Sequence, residues 1–123
     1  MSRPKEKDVD LEKRRRPGVR TKIYVRNDMI GTGKVDLLRL IDETGSITRA
    51  AAAMGCGYRR AWFLLDTLQR CFREPLTITQ RGGSSGTRLT SFGKEFLKRH
   101  ADHEAQIAAA SAGYLAWLEQ QQS

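Results

Sequence analysis

Arg59 and Arg60 stand side by side after Gly57-Tyr58, where a run of apolar residues at helical spacing begins. A guanidinium carries its donors in a rigid fork that matches a guanine edge or a phosphate, so this pair in a first helical turn suits nucleic-acid recognition. Phe63, one turn further on, is placed to lie against base edges. Arg81 and Arg88 bracket Gly82-Gly83-Ser84-Ser85-Gly86, whose backbone amides and hydroxyls can approach a sugar–phosphate backbone closely. Ser46 and Thr48, at the start of a preceding helix, offer hydroxyls to phosphates. The plainer reading of Arg59 and Arg60 is a solvated charged face, and that of Ser84 and Ser85 a structural turn. Tyr58 fits a phosphate contact or a cap on the turn equally well. Other chemistry finds no footing. Cys56, Cys71, His100 and His103 lack zinc-finger spacing, and the sequence has no phosphate-cradling Walker loop or nucleophile elbow. No metal, cofactor or catalytic activity is expected.

The elements that must hold these residues are legible from spacing. Val35, Leu38 and Ile41 predict a helix over 34–43, ended by Thr44-Gly45. Ser46 suits the N-cap of a second helix with Ile47, Ala50, Ala51 and Met54 on its apolar face. A third helix is expected from Tyr58 to Phe72, with Ala61, Leu64, Leu65, Leu68 and Phe72 inward. Arg59, Arg60, Phe63, Thr67 and Arg70 are expected outward, and Trp62 is read as core.

Counting Ile47 as position 1, two crossed helices joined by a tight turn want small or apolar residues at positions 4, 5, 8, 10, 15 and 18. The sequence supplies Ala50, Ala51, Met54, Cys56, Ala61 and Leu64 there. At position 9, where the backbone turns sharply, stands Gly55. This is the outline of a helix-turn-helix, whose second helix reads DNA through its first turns. Leu76–Thr79 and Thr87–Thr90 alternate as a hairpin would, which adds a wing. Thr21–Arg26 reads as a short strand ending at Asn27-Asp28.

With 123 residues there is room for one core. The net charge of +8 is unevenly spread: +6 over residues 1–26, +5 over 27–99 and −3 over 100–123, where no Lys or Arg occurs. Residues 1–20 carry the run Lys13-Arg14-Arg15-Arg16 and little apolar surface, which predicts a disordered basic arm. It is either a solubilising tail or an arm that lies along phosphates or in a minor groove. No apolar run reaches the ~20 residues of a membrane span, and no signal peptide follows the N-terminus, so the expected location is the cytoplasm.

The last segment has a different pattern. Phe96, His100, His103, Ile107, Ala110, Tyr114 and Trp117 recur at alternating spacings of four and three. That is a coiled-coil seam on a long helix starting at Ser91, and it predicts homodimerisation. Folding back on the same domain is the alternative.

Gly31-Thr32-Gly33-Lys34, Thr44-Gly45-Ser46-Ile47, Ala50-Ala51, Gly55, Tyr58-Arg59-Arg60-Ala61-Trp62, Gly82-Gly83 and Leu89-Thr90-Ser91-Phe92-Gly93 resemble, in order and spacing, the N-terminal DNA-binding domain of ModE-type molybdate-responsive regulators. The resemblance covers roughly residues 21–110. LysR-type regulators share the Gly-Ser-Ile and Ala-Ala pattern but lack the Tyr-Arg-Arg-Ala-Trp segment. The resemblance implies a winged helix-turn-helix that dimerises partly through its last helix and binds an operator. Tyr58, Arg59, Arg60 and the 82–86 loop would face DNA. Gly57 stands where the family usually has Ser, which removes one hydroxyl contact. The molybdate-binding modules are expected to be absent.

The sequence therefore predicts a mainly α fold with a small β-hairpin: a basic arm (1–20), a winged helix-turn-helix (21–91) and a C-terminal dimerisation helix (92–123). The expected function is a homodimeric regulator of transcription that binds double-stranded DNA. The competing reading is a winged-helix module for protein–protein contact.

Overall fold

A computed structural model of the chain describes residues 17–80 and 86–122. It is mainly helical, with four helices and two small antiparallel hairpins among the described residues. The strands β1 (Lys22–Val25) and β2 (Asp28–Gly31) pair with Ile23 opposite Ile30. Helices α1 (Thr32–Thr44), α2 (Ile47–Met54) and α3 (Tyr58–Gln69) follow, then β3 (Thr77–Gln80), β4 (Gly86–Leu89) and α4 (Ser91–Gln120).

The first strand was expected; its partner was not. Asn27-Asp28, read as the end of a strand, is part of a hairpin turn in which Arg26 takes a φ of 54°, a backbone region that non-glycine residues enter at a cost. Lys34 braces this hairpin against α1 by donating from Nζ to the Met29 carbonyl at 2.7 Å.

Leu37, Leu38 and Ile41 on α1, Ala50 on α2, Ala61 and Leu68 on α3 and Leu76 before β3 are wholly buried. Fully burying one such leucine is worth about 1.5–3 kcal/mol, so these few residues fix how the three helices cross. The alanines are small where helices must approach closely, as the positional pattern required. Gly45 and Gly55 end α1 and α2 at φ of 72° and 75°, a left-handed conformation open to glycine without a Cβ penalty. Two chain reversals follow at those points, and they set α2 and α3 across each other.

Two inward–outward assignments on α3 are corrected. Thr67, expected outward, is buried, its hydroxyl satisfied by donating to the Leu64 carbonyl at 3.0 Å. Trp62, expected in the core, is 50% exposed. Ala61 and Leu68 fill the space between the helices and leave the indole outside. The helix also ends at Gln69 rather than Phe72. Gln69 then pins the connection to β3, donating to the Glu74 carbonyl and accepting from the Leu76 amide, both at 2.7 Å.

The long helix grows from the domain. Thr90 caps it, accepting from the Gly93 amide at 2.9 Å while donating to the Pro75 carbonyl at 2.7 Å. Phe72 packs its ring edge against Phe92 and Phe96, with centroids 5.4 and 4.9 Å away. The root of α4 thus shares the core with α3. Beyond it the helix continues unbroken through Gly113.

Candidate nucleic-acid interface

Most of the described DNA-facing candidates are exposed at the start of α2, in the first two turns of α3 and on β4. Ser46 caps α2, its hydroxyl accepting from the Arg49 amide at 3.2 Å. Thr48 and Arg49 are exposed on the first turn of that helix. The second hairpin is fastened beside it: the Thr87 amide donates to the Gly45 carbonyl at 3.0 Å. The base of β4 is therefore held next to the residue that precedes the α2 cap. Arg88, one residue along, is exposed and pairs across the hairpin with Ile78.

Tyr58, Arg59 and Arg60 form the exposed first turn of α3, and Phe63 is 58% exposed one turn further. The guanidinium groups of Arg49, Arg59, Arg60 and Arg88 make no hydrogen bond or ion pair among the described residues. Three other arginines are matched: Arg39 with Asp36 and Arg70 with Asp66, each at 2.9 Å, and Arg99 with Glu95 at 3.7 Å, whereas Arg26 and Arg73 have no acid paired with them among the described residues either. Cations held without acids leave a positive potential open to an anionic partner. Arg49 was not singled out from the sequence; its place in the first turn of a helix capped by Ser46 was the available signal. Arg81, Ser84 and Ser85 lie outside the described residues, as do the arm residues 1–16.

The seam expected on α4 divides in two. Phe96 is packed on Phe72, and His100 is 7% exposed, so both belong to the chain's own core. His103 and Ala110 are exposed and Ile107 half-buried, while Tyr114 and Trp117 stack on one another, 64% and 54% exposed. Gly18, Val19 and Thr21 line a groove with Glu104, Ile107, Ala108 and Leu115, so the segment before β1 reaches one residue of the expected seam, Ile107.

His100 marks the transition. Burial pushes its imidazole below the ordinary value of 6.5, with His103 and Arg39 pushing the same way. Glu104, 3.4 Å from Nε2, and Asp36 oppose this. A histidine depressed in the folded state is protonated first in the unfolded chain, so acid favours unfolding. Stability is expected to be complete above about pH 6.5 and to fall as the pH drops from there towards the folded-state value. Thermal melts between about pH 5 and pH 8 check this, and His100→Gln should flatten the slope. An unchanged slope in that variant would assign the acid sensitivity to other groups. Burial also pushes the Cys71 thiol up, aided by the Asp28 carboxylate, which disfavours a reactive thiolate there.

Among the described residues no group of His, Cys, Asp and Glu is gathered as a metal site would be, and no helix is long and apolar enough to cross a membrane. No protein-family model matches the chain. It is 33% identical over 79 residues to the molybdenum transport protein ModE of Azotobacter vinelandii, covering 63% of this chain and 29% of that protein. Against the ModE protein of Herbaspirillum seropedicae the identity is 43% over 63 residues, 50% of this chain and 23% of the relative. The molybdenum-pterin-binding protein MopA of Rhodobacter capsulatus is 33% identical over 70 residues, 55% of this chain and 26% of its own length. The matched part spans less than a third of each of these relatives. Within that part, the chain is similar to proteins named for molybdenum transport and for molybdenum-pterin binding.

Proposed function

We propose that this chain is a winged helix-turn-helix regulator that binds an operator in double-stranded DNA as a homodimer, a ModE-like module without catalytic activity. In this reading α2 and α3 are the helix-turn-helix, and the β3–β4 hairpin is the wing. The observation that carries it is the unmatched pair Arg59 and Arg60 on the exposed first turn of α3. It is supported by the tether that holds the wing beside the start of α2, which Ser46 caps.

The roles follow from placement. Arg59 meets a base edge in the major groove, and Arg60 a base edge or, from the flank of α3, a phosphate. Tyr58, Ser46, Thr48 and the wing residues Arg81, Ser84, Ser85 and Arg88 fix the register on the backbone. His103, Ile107, Ala110, Tyr114 and Trp117 on the projecting half of α4 form the seam with a second copy, while Phe96 and His100 anchor its root. Two copies related by a two-fold axis would face two half-sites. The relatives' names supply the setting, molybdenum transport and molybdenum-pterin binding.

Arg59→Ala tests the assignment. On a duplex recovered by selection from random sequence, the substitution should cost about 1–3 kcal/mol and relax the preference at one base pair in each half-site. Gel-shift titrations on that duplex and on random DNA measure both. Equal losses on the two would remove Arg59 from base reading. The absence of salt-dependent duplex binding would favour a protein partner instead.

A further inference from the structure

The outward stripe of α3 is not what a solvated helix face normally is. Arg59, Trp62, Phe63, Asp66 and Arg70 follow one another at helical spacing, so one side carries two large aromatic rings between charged residues. Trp62 and Phe63 are 50% and 58% exposed. The apolar pair is bracketed by Arg59 on its N-terminal side and by the Arg70–Asp66 ion pair, at 2.9 Å, on its C-terminal side. Asp66, the acid on this stripe, is thus already engaged. Large apolar groups on an exposed recognition surface mark what that surface meets.

We infer that Trp62 and Phe63 read thymine, by packing their rings on the 5-methyl groups that thymine presents in the major groove. The inference rests on the DNA-binding reading above and deepens it. Among the groups that base pairs display in the major groove, the thymine methyl is the apolar one. An aromatic ring can also stack on a base, but in a duplex that first requires unstacking, at a cost of a few kcal/mol. Contact with a methyl needs no such distortion, and a helix entering the groove by its first two turns brings both rings to the base edges. The arginines around the stripe favour an anionic partner with apolar points over an apolar protein surface. Arg59 and the rings together would read a guanine close to thymine.

The test uses the tightest duplex recovered by the wild-type protein from a randomised pool. Each thymine is replaced in turn by deoxyuridine, which keeps the pairing edge and the O4 acceptor and removes the methyl alone. One or two positions in each half-site should lose about fourfold in affinity, the worth of one buried methyl-sized group. At those positions the loss should disappear in Trp62→Ala or Phe63→Ala, because the ring that sensed the methyl has gone. Both side chains are half exposed, and thermal melts of the variants confirm that they fold. If no position responds to deoxyuridine while duplex binding is intact, the inference fails and the DNA-binding reading stands. If losses occur but persist unchanged in both variants, the methyls are read by other residues and the inference again fails. If no duplex is recovered, both fall together.

Discussion

Raising the salt from about 50 to about 200 mM is expected to weaken duplex binding roughly a thousandfold. In the proposed complex, with Arg59 turned to base edges and Arg60 to a phosphate, Arg60, Arg81 and Arg88 would displace counterions from phosphates in each copy. Six such cations in a pair give a log–log slope of about −5, and a fourfold rise in salt then removes about three powers of ten. Arg60 and Arg88 are exposed and have no acid to release before they engage DNA, so little of this is offset within the protein. Arg60→Ala and Arg88→Ala should each make the slope shallower by about 1–2 in the pair, with similar losses on operator and random DNA. Titrations by fluorescence anisotropy across the salt range measure the slope. A flat line would dismiss the phosphate assignments whatever the affinity at low salt.

Gly93→Ala is expected to destabilise the fold by about 3 kcal/mol, at the upper end of what overpacking costs. An added Cβ would collide with the Leu76 carbonyl oxygen and press on Leu89 Cγ at 3.3 Å. The oxygen is backbone and cannot rotate aside. It also accepts the Thr90 amide at 3.0 Å, so moving it breaks the bond that joins the start of the second hairpin to its end. The first turn of α4 must lift instead, which pulls Phe92 and Phe96 away from Phe72. For a domain of this size each kcal/mol lowers the melting temperature by about 4–8 °C. Differential scanning calorimetry reads the loss directly. A melting temperature within a degree or two of the wild type would mean that the helix root is free to shift.

Much of this was legible in the sequence because it depends on local rules. Ser46 as a cap, Gly55 in the turn and small residues at the crossing positions each reflect a constraint within a few residues, and the structure contains all three. The short strand pair was harder. Four-residue strands carry too little alternation to register, and the β1–β2 turn uses Arg26 where a glycine would have been the visible signal. Trp62 and Thr67 were misplaced for a tertiary reason: which residue enters the core depends on the neighbouring helix, and side-chain type alone favours burying the larger. The same blindness hid the division of the α4 seam. Its periodicity is continuous from Phe96 to Trp117, yet Phe72 claims the start of it. The DNA-facing assignments rest on residue type together with exposure in the first turns of α2 and α3.

The unbroken course of α4 has a geometric consequence. Thirty residues at about 1.5 Å each make a rod about 45 Å long, clamped near one end by the Phe72–Phe96 contact and by buried His100. Such a rod acts as a ruler. In the proposed homodimer, where two of them cross along the projecting half would fix how far apart the two copies of α3 are carried. Sliding that crossing by one helical turn changes the separation by about 5 Å along each rod, while a single inserted residue swings the seam about 100° out of line. The distance between half-sites would therefore be written in the seam of α4, far from any residue that touches DNA.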